Sequence, residues 1–391
     1  MPDSLADRIS DRLASIRDGG QKRSLRPPAG IDFCSNDYLG LSQHPRVKQA
    51  MIDGVLREGA GSTGSRLLRG DRTEFTDVER KFAAFKGAER ALYFSSGYLA
   101  NLAVMTTLAE RDDVIFSDAL NHASLIDGVR LSAADYVVFP HGDLAALENL
   151  IAEHSAEKQA IIVTESLFSM DGDRAPIQDY AALCRATDAA LVVDEAHAVG
   201  VCGRHGSGLL EEAGINPNSC ISINTAGKAL GVSGAFVAGP SWAVDYLIQR
   251  ARPFIFSTAP PPSVADALSA SLDVLAAEPE RRARLESRVA HLHAAVSAQG
   301  LALPCKPSHI LPLVIGDNDR AVAAAEALQA QGFDVRAIRP PSVPAGTARL
   351  RITVNAMLDD KTIDRFAAAL ARVFREILLS SASSAVESFP A

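Results

Sequence analysis

Several side chains that could do acid–base or covalent chemistry follow apolar runs or lie in short loops of this 391-residue chain. Lys228 lies in INTAGKALGVSG, where small residues leave room for a bulky group to approach. Asp194 ends an apolar run and His197 follows three residues later, while Ser169 lies in TESLFSMDGD and His122 in SDALNHASLIDG. Because ligands bind beyond the carboxyl ends of strands in parallel α/β sheets, these side chains are candidates for one site.

A possible anion cradle precedes them in FSSGYLAN, where Gly97 opens a predicted helix whose free N–H groups attract negative charge. An anion cradle, a carboxylate, two histidines and an isolated lysine together suit pyridoxal phosphate. The lysine amine forms an imine with its aldehyde, N–H and hydroxyl donors bind its phosphate, and a carboxylate keeps its ring nitrogen protonated.

Each of these features also has an ordinary structural explanation. Lys228 could be an exposed lysine in a tight turn, and Asp194 could cap the next element. MDGD could be a plain turn, and His122 a loop residue without a special role. We expect no metal site, because His197 and His205 form no compact ligand motif with neighbouring carboxylates. P-loop, dinucleotide-binding and G-x-S-x-G motifs are absent from the sequence.

The elements that must position these residues alternate between helical stretches and short β-rich runs. The strand candidates are ALYF (91–94), DVIFSD (113–118), YVVFP (136–140), QAIIVTES (159–166) and AALVVDEA (189–196). Apolar runs of this kind, separated by helices, predict a mostly parallel sheet covered on both faces. We predict three segments: an N-terminal helix and arm (1–45), a large α/β domain (46–275) and a smaller α+β domain (276–391).

Composition narrows the class of protein. Apolar residues make up 47% and charged residues 22% of the chain, as in an ordinary soluble globular protein. The net charge of −8 argues against a sequence-independent grip on nucleic acid or anionic membrane. The five cysteines are scattered and include no C-x-x-C pair, which predicts reduced thiols. The sequence shows no secretory signal and no apolar run long enough to span a bilayer, so we expect a cytoplasmic protein.

The motifs taken together resemble one family over residues 5 to 375. SNDYLGLS, NHASLIDG, FSMDGD, VVDEAHAVGVCGRHG and TAGKALGVSG are similar to those of the α-oxoamine synthases, which are fold-type I pyridoxal-phosphate enzymes. The resemblance implies a large domain with a mostly parallel sheet, a smaller α+β C-terminal domain and a homodimer with shared active sites.

The resemblance also implies roles for the cofactor-site residues. Lys228 would bind the cofactor covalently, Asp194 would pair with the ring nitrogen, and His122 would stack on the ring as the third catalytic residue. The other cofactor contacts would come from Ser169 and His197 on the ring-hydroxyl side, Gly97 and Tyr98 in the cradle, Thr225 at the phosphate, and Thr258 at the neighbouring subunit's phosphate. The family often has Phe where this chain has Tyr98.

Four further residues would bind substrate if the resemblance holds. Arg351 would bind the amino-acid carboxylate through its planar guanidinium. Arg23 would meet the far end of the acyl chain, with Lys22 and Arg26 as rivals for that role. Ser342, often Thr in the family, and Asn36 would lie near the substrate and the cofactor respectively.

Within the family, IRPPSVPAGTARLRIT (338–353) is most similar to the biotin-pathway member. That member condenses L-alanine with a pimeloyl thioester, carried on CoA or acyl carrier protein, and releases carbon dioxide. The alternatives are a sister α-oxoamine synthase that takes glycine or serine with another acyl-CoA, a pyridoxal-phosphate aminotransferase, and a catalytically idle subunit. The Arg-rich loop GSTGSRLLRGD (61–71) leaves the preferred acyl donor open.

Overall fold

The computed structural model describes residues 4–154, 158–301, 303 and 306–386, with side chains as far as residue 376. Cys34, Cys184, Cys202 and Cys220 carry free thiols. The fifth cysteine, Cys305, which is also predicted to be reduced, lies outside the described residues.

The strands alternate with helices through the middle of the chain. They are β1 (Ile31–Asp32), β2 (Arg90–Phe94), β3 (Asp113–Asp118), β4 (Asp135–Phe139), β5 (Gln159–Glu165), β6 (Ala190–Asp194), β7 (Ile221–Thr225), β8 (Ala235–Gly239), β9 (Ile310–Gly316), β10 (Phe333–Asp334), β11 (Arg336–Ile338) and β12 (Ala348–Thr353). The α-helices are α1 (Leu5–Asp18), α2 (Pro45–Glu58), α3 (Thr73–Lys86), α4 (Gly97–Leu108), α5 (Ala123–Leu131), α6 (Leu144–His154), α7 (Ile177–Thr187), α8 (Leu209–Glu212), α9 (Ser241–Arg250), α10 (Arg252–Ile255), α11 (Ser263–Ala277), α12 (Glu280–Ala298), α13 (Asn318–Ala330) and α14 (Asp360–Val386).

The chain divides into two compact units. The large unit comprises Asn36–Ser169 and Asp173–Arg284, and the small unit comprises Met1–Ser35, Met170–Gly172 and Leu285–Ala391. The predicted boundaries at 45 and 275 lie about ten residues from these divisions. The N-terminal arm belongs to the same unit as the C-terminal segment, which the separate N-terminal segment of the prediction does not anticipate.

The large unit contains a sheet whose described strands run in the order β2-β8-β7-β6-β5-β3-β4. The pairs from β4 to β7 are parallel, and β8 is antiparallel to both of its neighbours. Alternate side chains of each strand enter different apolar clusters: Ile161 and Val163 pack on one face, and Ile162 packs on the other. Burial on both faces explains the continuous apolar runs of these strands, and the predicted mostly parallel sheet is confirmed.

Polar residues end the central parallel strands. Asp118 ends β3, Glu165 ends β5, Asp194 ends β6 and Thr225 ends β7. Because these strands are parallel neighbours, the loops that follow them leave the same edge of the sheet. That edge is therefore where the sequence-predicted chemistry collects.

The small unit is built on pairings between distant parts of the chain. Its three described antiparallel strands run in the order β11-β12-β9, and β1 pairs in parallel with β10. Phe33 of the arm stacks on Phe366 of α14 with ring centroids 3.9 Å apart, and Phe333 packs edge-on against both rings. These aromatic contacts fix the arm to the C-terminal helix. Among the described residues, no helix combines the length and apolarity needed to cross a membrane.

Candidate active site

Lys228 lies in the turn after β7 and is half-buried. Its Nζ lies 2.8 Å from Nε2 of His197, which is 4% exposed. The other ring nitrogen of His197, Nδ1, lies 2.7 Å from Oη of Tyr38. Tyr38 Oη in turn donates to Oδ1 of Asn36 at 2.9 Å. The structure therefore joins two predicted site residues, Lys228 and His197, to Asn36 through a tyrosine that the sequence analysis did not single out.

This chain of contacts fixes the proton on His197. Tyr38 gives its one hydroxyl proton to Asn36, so Oη accepts from Nδ1–H of His197. Nε2 of His197 then carries a lone pair, and the Lys228 amine donates to it. The imidazole of His197 thereby holds the Lys228 amine in place.

The small residues around Lys228 serve close backbone packing as well as open space. Gly231 has a φ of +68°, and a Cβ there would lie 2.3 Å from the backbone nitrogen of Ser42. A side chain at Gly231 would therefore collide with the segment that leads from Tyr38. Some of the glycines near Lys228 are therefore required by a tight turn, as the alternative explanation proposed, although Lys228 itself is half-buried.

Asp194 is 4% exposed and has a partner for each carboxylate oxygen. Oδ1 accepts from the backbone N–H of Ala196 at 2.8 Å, which is a local turn contact. Oδ2 accepts from Nδ2 of Asn101 on α4 at 2.8 Å. One oxygen therefore closes a local turn without capping the next helix, whose N-cap is Gly208, while the other takes part in a buried polar network.

The network continues to His122. The same Asn101 amide donates to Oγ of Ser124 at 2.8 Å, and Oγ lies 2.7 Å from Nδ1 of His122. Nδ1 also accepts from the backbone N–H of Ser124, so it carries no proton. The pKa of His122 is lowered, mainly because the protein withdraws the ring from water and further because of nearby Lys228, against the opposing effect of Asp194. His122 is therefore a neutral ring that remains partly exposed.

The start of α4 contacts the end of β7. A Cβ on Gly97 would lie 2.4 Å from Oγ1 of Thr225, so only glycine lets the two segments come this close. Ser96 caps the helix by accepting from the N–H of Leu99 at 3.2 Å. Tyr98 is 44% exposed, and its hydroxyl donates to Asp127. The structure thus brings Gly97, predicted for the cradle, next to Thr225, predicted for the phosphate, at a helix N-terminus.

Three buried polar atoms at this edge of the sheet have no hydrogen-bond partner among the described residues. They are Oδ1 of Asn101, Oε1 of Glu165 and Oγ of Ser166. A buried polar atom left without a partner costs about 1–3 kcal/mol. Their clustering beside Asp194 and buried Ser169, together with the glycine cradle, fits a polar cofactor such as pyridoxal phosphate.

The loop that carries Asp194 and His197 is held by an ion pair that the sequence analysis missed. Lys86 at the end of α3 pairs with Glu195, and the two side chains are 1% and 0% exposed. Lys86 also donates to the carbonyl of Ser207, and Glu195 accepts from the N–H of Leu210 at 2.9 Å. With both charges bonded in this way, Lys86 and Glu195 hold the loop that carries Asp194.

The remaining cofactor candidate, Thr258, is exposed. Its neighbour Ala259 donates a backbone hydrogen bond to Gly64 at 2.9 Å, and Ser62 donates to the carbonyl of Pro260. The segment is thus fixed to the glycine-rich loop. The structure does not bring Thr258 into a described contact with the other predicted cofactor residues.

The predicted amino-acid ligand Arg351 belongs to the small unit, where it lies on β12 and is 7% exposed. Two residues earlier, Arg349 is also buried but pairs with Asp171 and donates to the carbonyl of Met170 at 3.3 Å. Arg349 therefore holds the 170–172 segment. Of the two buried arginines on this strand, Arg351 remains the candidate for binding a substrate carboxylate.

Arg23 and Ser342 line one cavity of about 350 Å³ in the small unit, together with Arg339. Arg23 donates to the carbonyl of Pro340 at 3.1 Å, while Arg339 donates to the carbonyls of Gly20 and Lys22. These reciprocal bonds fix the arm against the segment after β11.

The two rivals of Arg23 face a different space. Lys22 and Arg26 line a separate cavity of about 140 Å³, and Arg26 pairs with Glu326 at 3.2 Å. Arg23 has no carboxylate within ion-pair distance among the described residues. Of the three residues, Arg26 is therefore paired with a carboxylate, and Arg23 is the one that shares a cavity with Ser342.

Sequence reasoning overlooked Tyr38, Asn101 and Glu165. Tyr38 and Glu165 lie within SNDYLGLS and TESLFSMDGD, so their positions beside other candidates were a usable signal. Asn101 lies on a helix whose buried residues are mostly apolar, and Thr107 is buried there as well. No local pattern distinguishes Asn101, because its partner Asp194 lies far away in sequence.

His141 links two loops at the same edge of the sheet. Its Nδ1 contacts Asp118 at 2.9 Å, its Nε2 contacts Asp173 at 2.7 Å, and its ring packs edge-on against Phe168. Hydrogen bonds to the two carboxylates raise the pKa of His141 to about 10. The protonated ring thereby anchors the segment that includes Ser169.

Comparison with known proteins gives one family match and many close relatives. The family model "Aminotransferase class I and II" matches residues 28–370. The 8-amino-7-oxononanoate synthase of Anaeromyxobacter dehalogenans is 45% identical over 384 residues, which are 95% of this chain and 96% of the relative.

Solved structures give the same family relationship. Serine palmitoyltransferase of Sphingomonas wittichii superposes with a TM-score of 0.89 at 30% identity, over 96% of this chain and 99% of that one. The 8-amino-7-oxononanoate synthase of Francisella tularensis superposes with a TM-score of 0.77 at 30% identity, over 89% and 98% of the two chains.

We expect the His141 anchor to make stability depend on pH. The raised pKa of the folded protein means that the stabilisation is complete below about pH 6.5, the ordinary value for His, and is lost as the pH rises through about 10. The difference in free energy of unfolding between the wild type and His141→Gln should therefore be largest below pH 6.5 and shrink toward pH 10. Urea unfolding at several pH values measures it.

His154→Gln is the matched control, because His154 is exposed and its one ion-pair contact among the described residues is with Glu153 at 4.0 Å. Its difference from the wild type should vary little over the same range. A His141→Gln difference that stays constant from pH 6 to 10 would contradict the charged anchor.

Proposed function

The chain belongs to the aminotransferase class I and II family, and within it to the α-oxoamine synthases, and from that membership we propose that it makes 8-amino-7-oxononanoate in biotin biosynthesis. The reaction condenses L-alanine with a pimeloyl thioester and releases carbon dioxide and the free thiol. The chain is thus a pyridoxal-phosphate-dependent acyltransferase with the fold-type I architecture. The observation that carries the assignment is 45% identity to a synthase of this name over 95% of the chain.

A serine-using relative is the second candidate, because serine palmitoyltransferase superposes with the higher TM-score. That likeness follows from the shared fold, and the identity is 30% for both structures. Sequence identity over nearly the whole chain is the better guide to substrate, since side chains rather than backbone path choose between amino acids and acyl groups.

The residues described above account for a pyridoxal phosphate site. Bound pyridoxal phosphate supplies an electron-withdrawing ring that stabilises negative charge at the α-carbon of the amino acid. Asp194 would hold the ring nitrogen, His122 would cover one ring face, and Ser169 with His197 would meet the ring hydroxyl. The phosphate would lie in the cradle of Gly97, Tyr98 and Thr225.

Lys228 would carry the cofactor through Nζ and would later take the α-proton of alanine at the same nitrogen. The 2.8 Å contact with His197 Nε2 supports both tasks, because it orients the amine. The Tyr38 and Asn36 contacts hold His197 in the tautomer that accepts from the amine. His122 is neutral at physiological pH, so it would stack without adding charge.

Two arginines would fix the substrates. Arg351 would bind the alanine carboxylate, since Arg349 is committed to Asp171. Arg23 would bind the terminal carboxylate of the pimeloyl group, beside Ser342 in the 350 Å³ cavity. The cavity is lined by two arginines, two serines and three apolar residues, so its guanidinium groups suit an acyl chain that ends in a carboxylate better than one that ends in a methyl group.

A homodimer belongs to the same proposal. Large apolar side chains are exposed on α2 and on the segments that follow it, namely Ile52 (51%), Leu56 (80%), Leu67 (50%), Leu68 (83%) and Phe256 (70%). Exposed apolar side chains of this size are typical of an interface, and exposed Thr258 follows Phe256. A second copy covering this surface would bring Thr258 to the neighbouring subunit's phosphate. We place the enzyme in the cytoplasm, in keeping with its free thiols.

A substrate panel tests the proposed function. Purified protein with pyridoxal phosphate should convert L-alanine and pimeloyl-CoA, or pimeloyl-acyl carrier protein, to 8-amino-7-oxononanoate, with one carbon dioxide released per product. Mass spectrometry and trapped carbon dioxide measure the two. Faster turnover with L-serine and palmitoyl-CoA or with glycine and acetyl-CoA would establish the sister activity instead, and amino-group transfer without carbon dioxide would establish an aminotransferase.

We expect Arg23→Ala to lose discrimination between acyl chains. A charged hydrogen bond is worth about 1.5–3 kcal/mol, so the preference for pimeloyl-CoA over heptanoyl-CoA, measured as the ratio of their kcat/KM values, should fall roughly 10- to 100-fold. Heptanoyl-CoA has the same chain length and a methyl end. Lys22→Ala, which removes a neighbouring cation facing the other cavity, should leave the ratio within about threefold. Equal loss in both variants would refute the role of Arg23.

A further inference from the structure

The carboxyl group of Glu165 takes no part in the roles assigned so far. It ends β5, directly opposite Asp194 in the pairing of β5 with β6. Glu165 is 2% exposed, which places two carboxyl groups side by side, both shielded from water, at the edge of the sheet that holds Lys228.

The two carboxyl oxygens of Glu165 differ in their hydrogen bonds. Oε2 accepts from the backbone N–H of Ser169 at 3.2 Å, and the backbone N–H of His122 also donates to the carboxyl group. Oε1 has no hydrogen-bond partner among the described residues, although it is fully buried. The group is therefore held firmly by one side and presents the other without a protein partner.

Two adjacent buried carboxyl groups do not both ionise near neutral pH. Asp194 accepts one N–H donor on each of its oxygens, from the Asn101 amide and from the backbone of Ala196. Burial and the neighbouring Asp194 raise the pKa of Glu165 to about 8, against the lowering effect of Lys228 and of the backbone N–H groups. Glu165 is therefore the member of the pair that keeps a proton at physiological pH.

We propose that Glu165 is a cofactor-binding residue that acts as a neutral carboxylic acid and donates a hydrogen bond from Oε1 to the ring oxygen of pyridoxal phosphate. The ring nitrogen and the ring oxygen of this coenzyme lie on the same edge of the ring, separated by the carbon that bears the methyl group. Adjacent strand ends that present Asp194 and Glu165 match these two positions, one as a carboxylate and one as a donor. This inference depends on the cofactor of the proposed function.

The test compares two replacements of Glu165 by titrating the cofactor-free protein with pyridoxal phosphate and following its absorbance. Glu165→Gln keeps a neutral donor of the same size, so its dissociation constant should stay within about threefold of the wild type. Glu165→Leu removes the donor at similar volume and should raise the dissociation constant at least tenfold. Circular dichroism and thermal unfolding of the cofactor-free variants show whether each one folds.

Tyr180→Phe is the matched control. Tyr180 Oη is likewise buried without a partner among the described residues, but it lies in the apolar cluster on the other side of the sheet from Asn101 and its neighbours. Its removal should leave the dissociation constant unchanged.

Three results are decisive. A Glu165→Gln variant that binds as weakly as Glu165→Leu would show that the ionised carboxylate is required, and would overturn the inference. So would a folded Glu165→Leu variant that binds as tightly as the wild type. A wild-type protein that binds no pyridoxal phosphate would instead overturn the proposed function, and this inference with it.

Discussion

The contact between the Lys228 amine and the neutral imidazole of His197 is the interaction on which the rest of the site depends. A lysine that is to act as a nucleophile and a base must be held in a defined position. Nε2 of His197 meets that requirement at 2.8 Å, and Tyr38 and Asn36 fix the tautomer that makes it an acceptor. The carboxylate of the site, Asp194, is tied instead to Asn101 on α4.

The charged residues around the site form ion pairs within the protein. Lys86 and Glu195 neutralise one another in the interior, although Glu195 directly follows Asp194 in the chain. Removing either partner of such a pair leaves an uncompensated buried charge, which costs about 3–5 kcal/mol. On the other side of the site His141 bridges Asp118 and Asp173. These polar residues of the loops therefore have partners within the protein, whereas Oδ1 of Asn101 and Oε1 of Glu165 are buried without a hydrogen-bond partner among the described residues.

Local patterns in the sequence predicted much of the fold. DVIFSD is β3 with the predicted bounds, and the other four strand candidates overlap observed strands within about two residues at each end. β7 and β8 were not identified, because each has five residues and the glycine-rich Lys228 turn between them obscures the apolar pattern. The pairing of β1 with β10 joins segments about 300 residues apart, and no local signal reports such a contact.

The candidate site was predictable to the extent that its residues end strands or occupy recognisable motifs. Lys228, Asp194 and His197 belong to this class, and the structure brings Lys228 and His197 into contact. Tyr38 and Asn101 act through partners 159 and 93 residues away, so their roles appear only once the chain is folded. The sequence does not distinguish Lys22, Arg23 and Arg26, because all three are basic side chains in one short segment. Only the folded structure shows that Arg23 lines a different cavity from the other two.

Borohydride reduction of the protein in the presence of pyridoxal phosphate, followed by peptide mass spectrometry, tests the central claim most directly. The account predicts that the reduced cofactor is attached to the peptide that contains Lys228, and that the label disappears in Lys228→Ala. Label on another lysine, such as Lys81 or Lys86, with an unlabelled Lys228 peptide, would contradict it. A wild-type protein that takes up no label at all would contradict it equally.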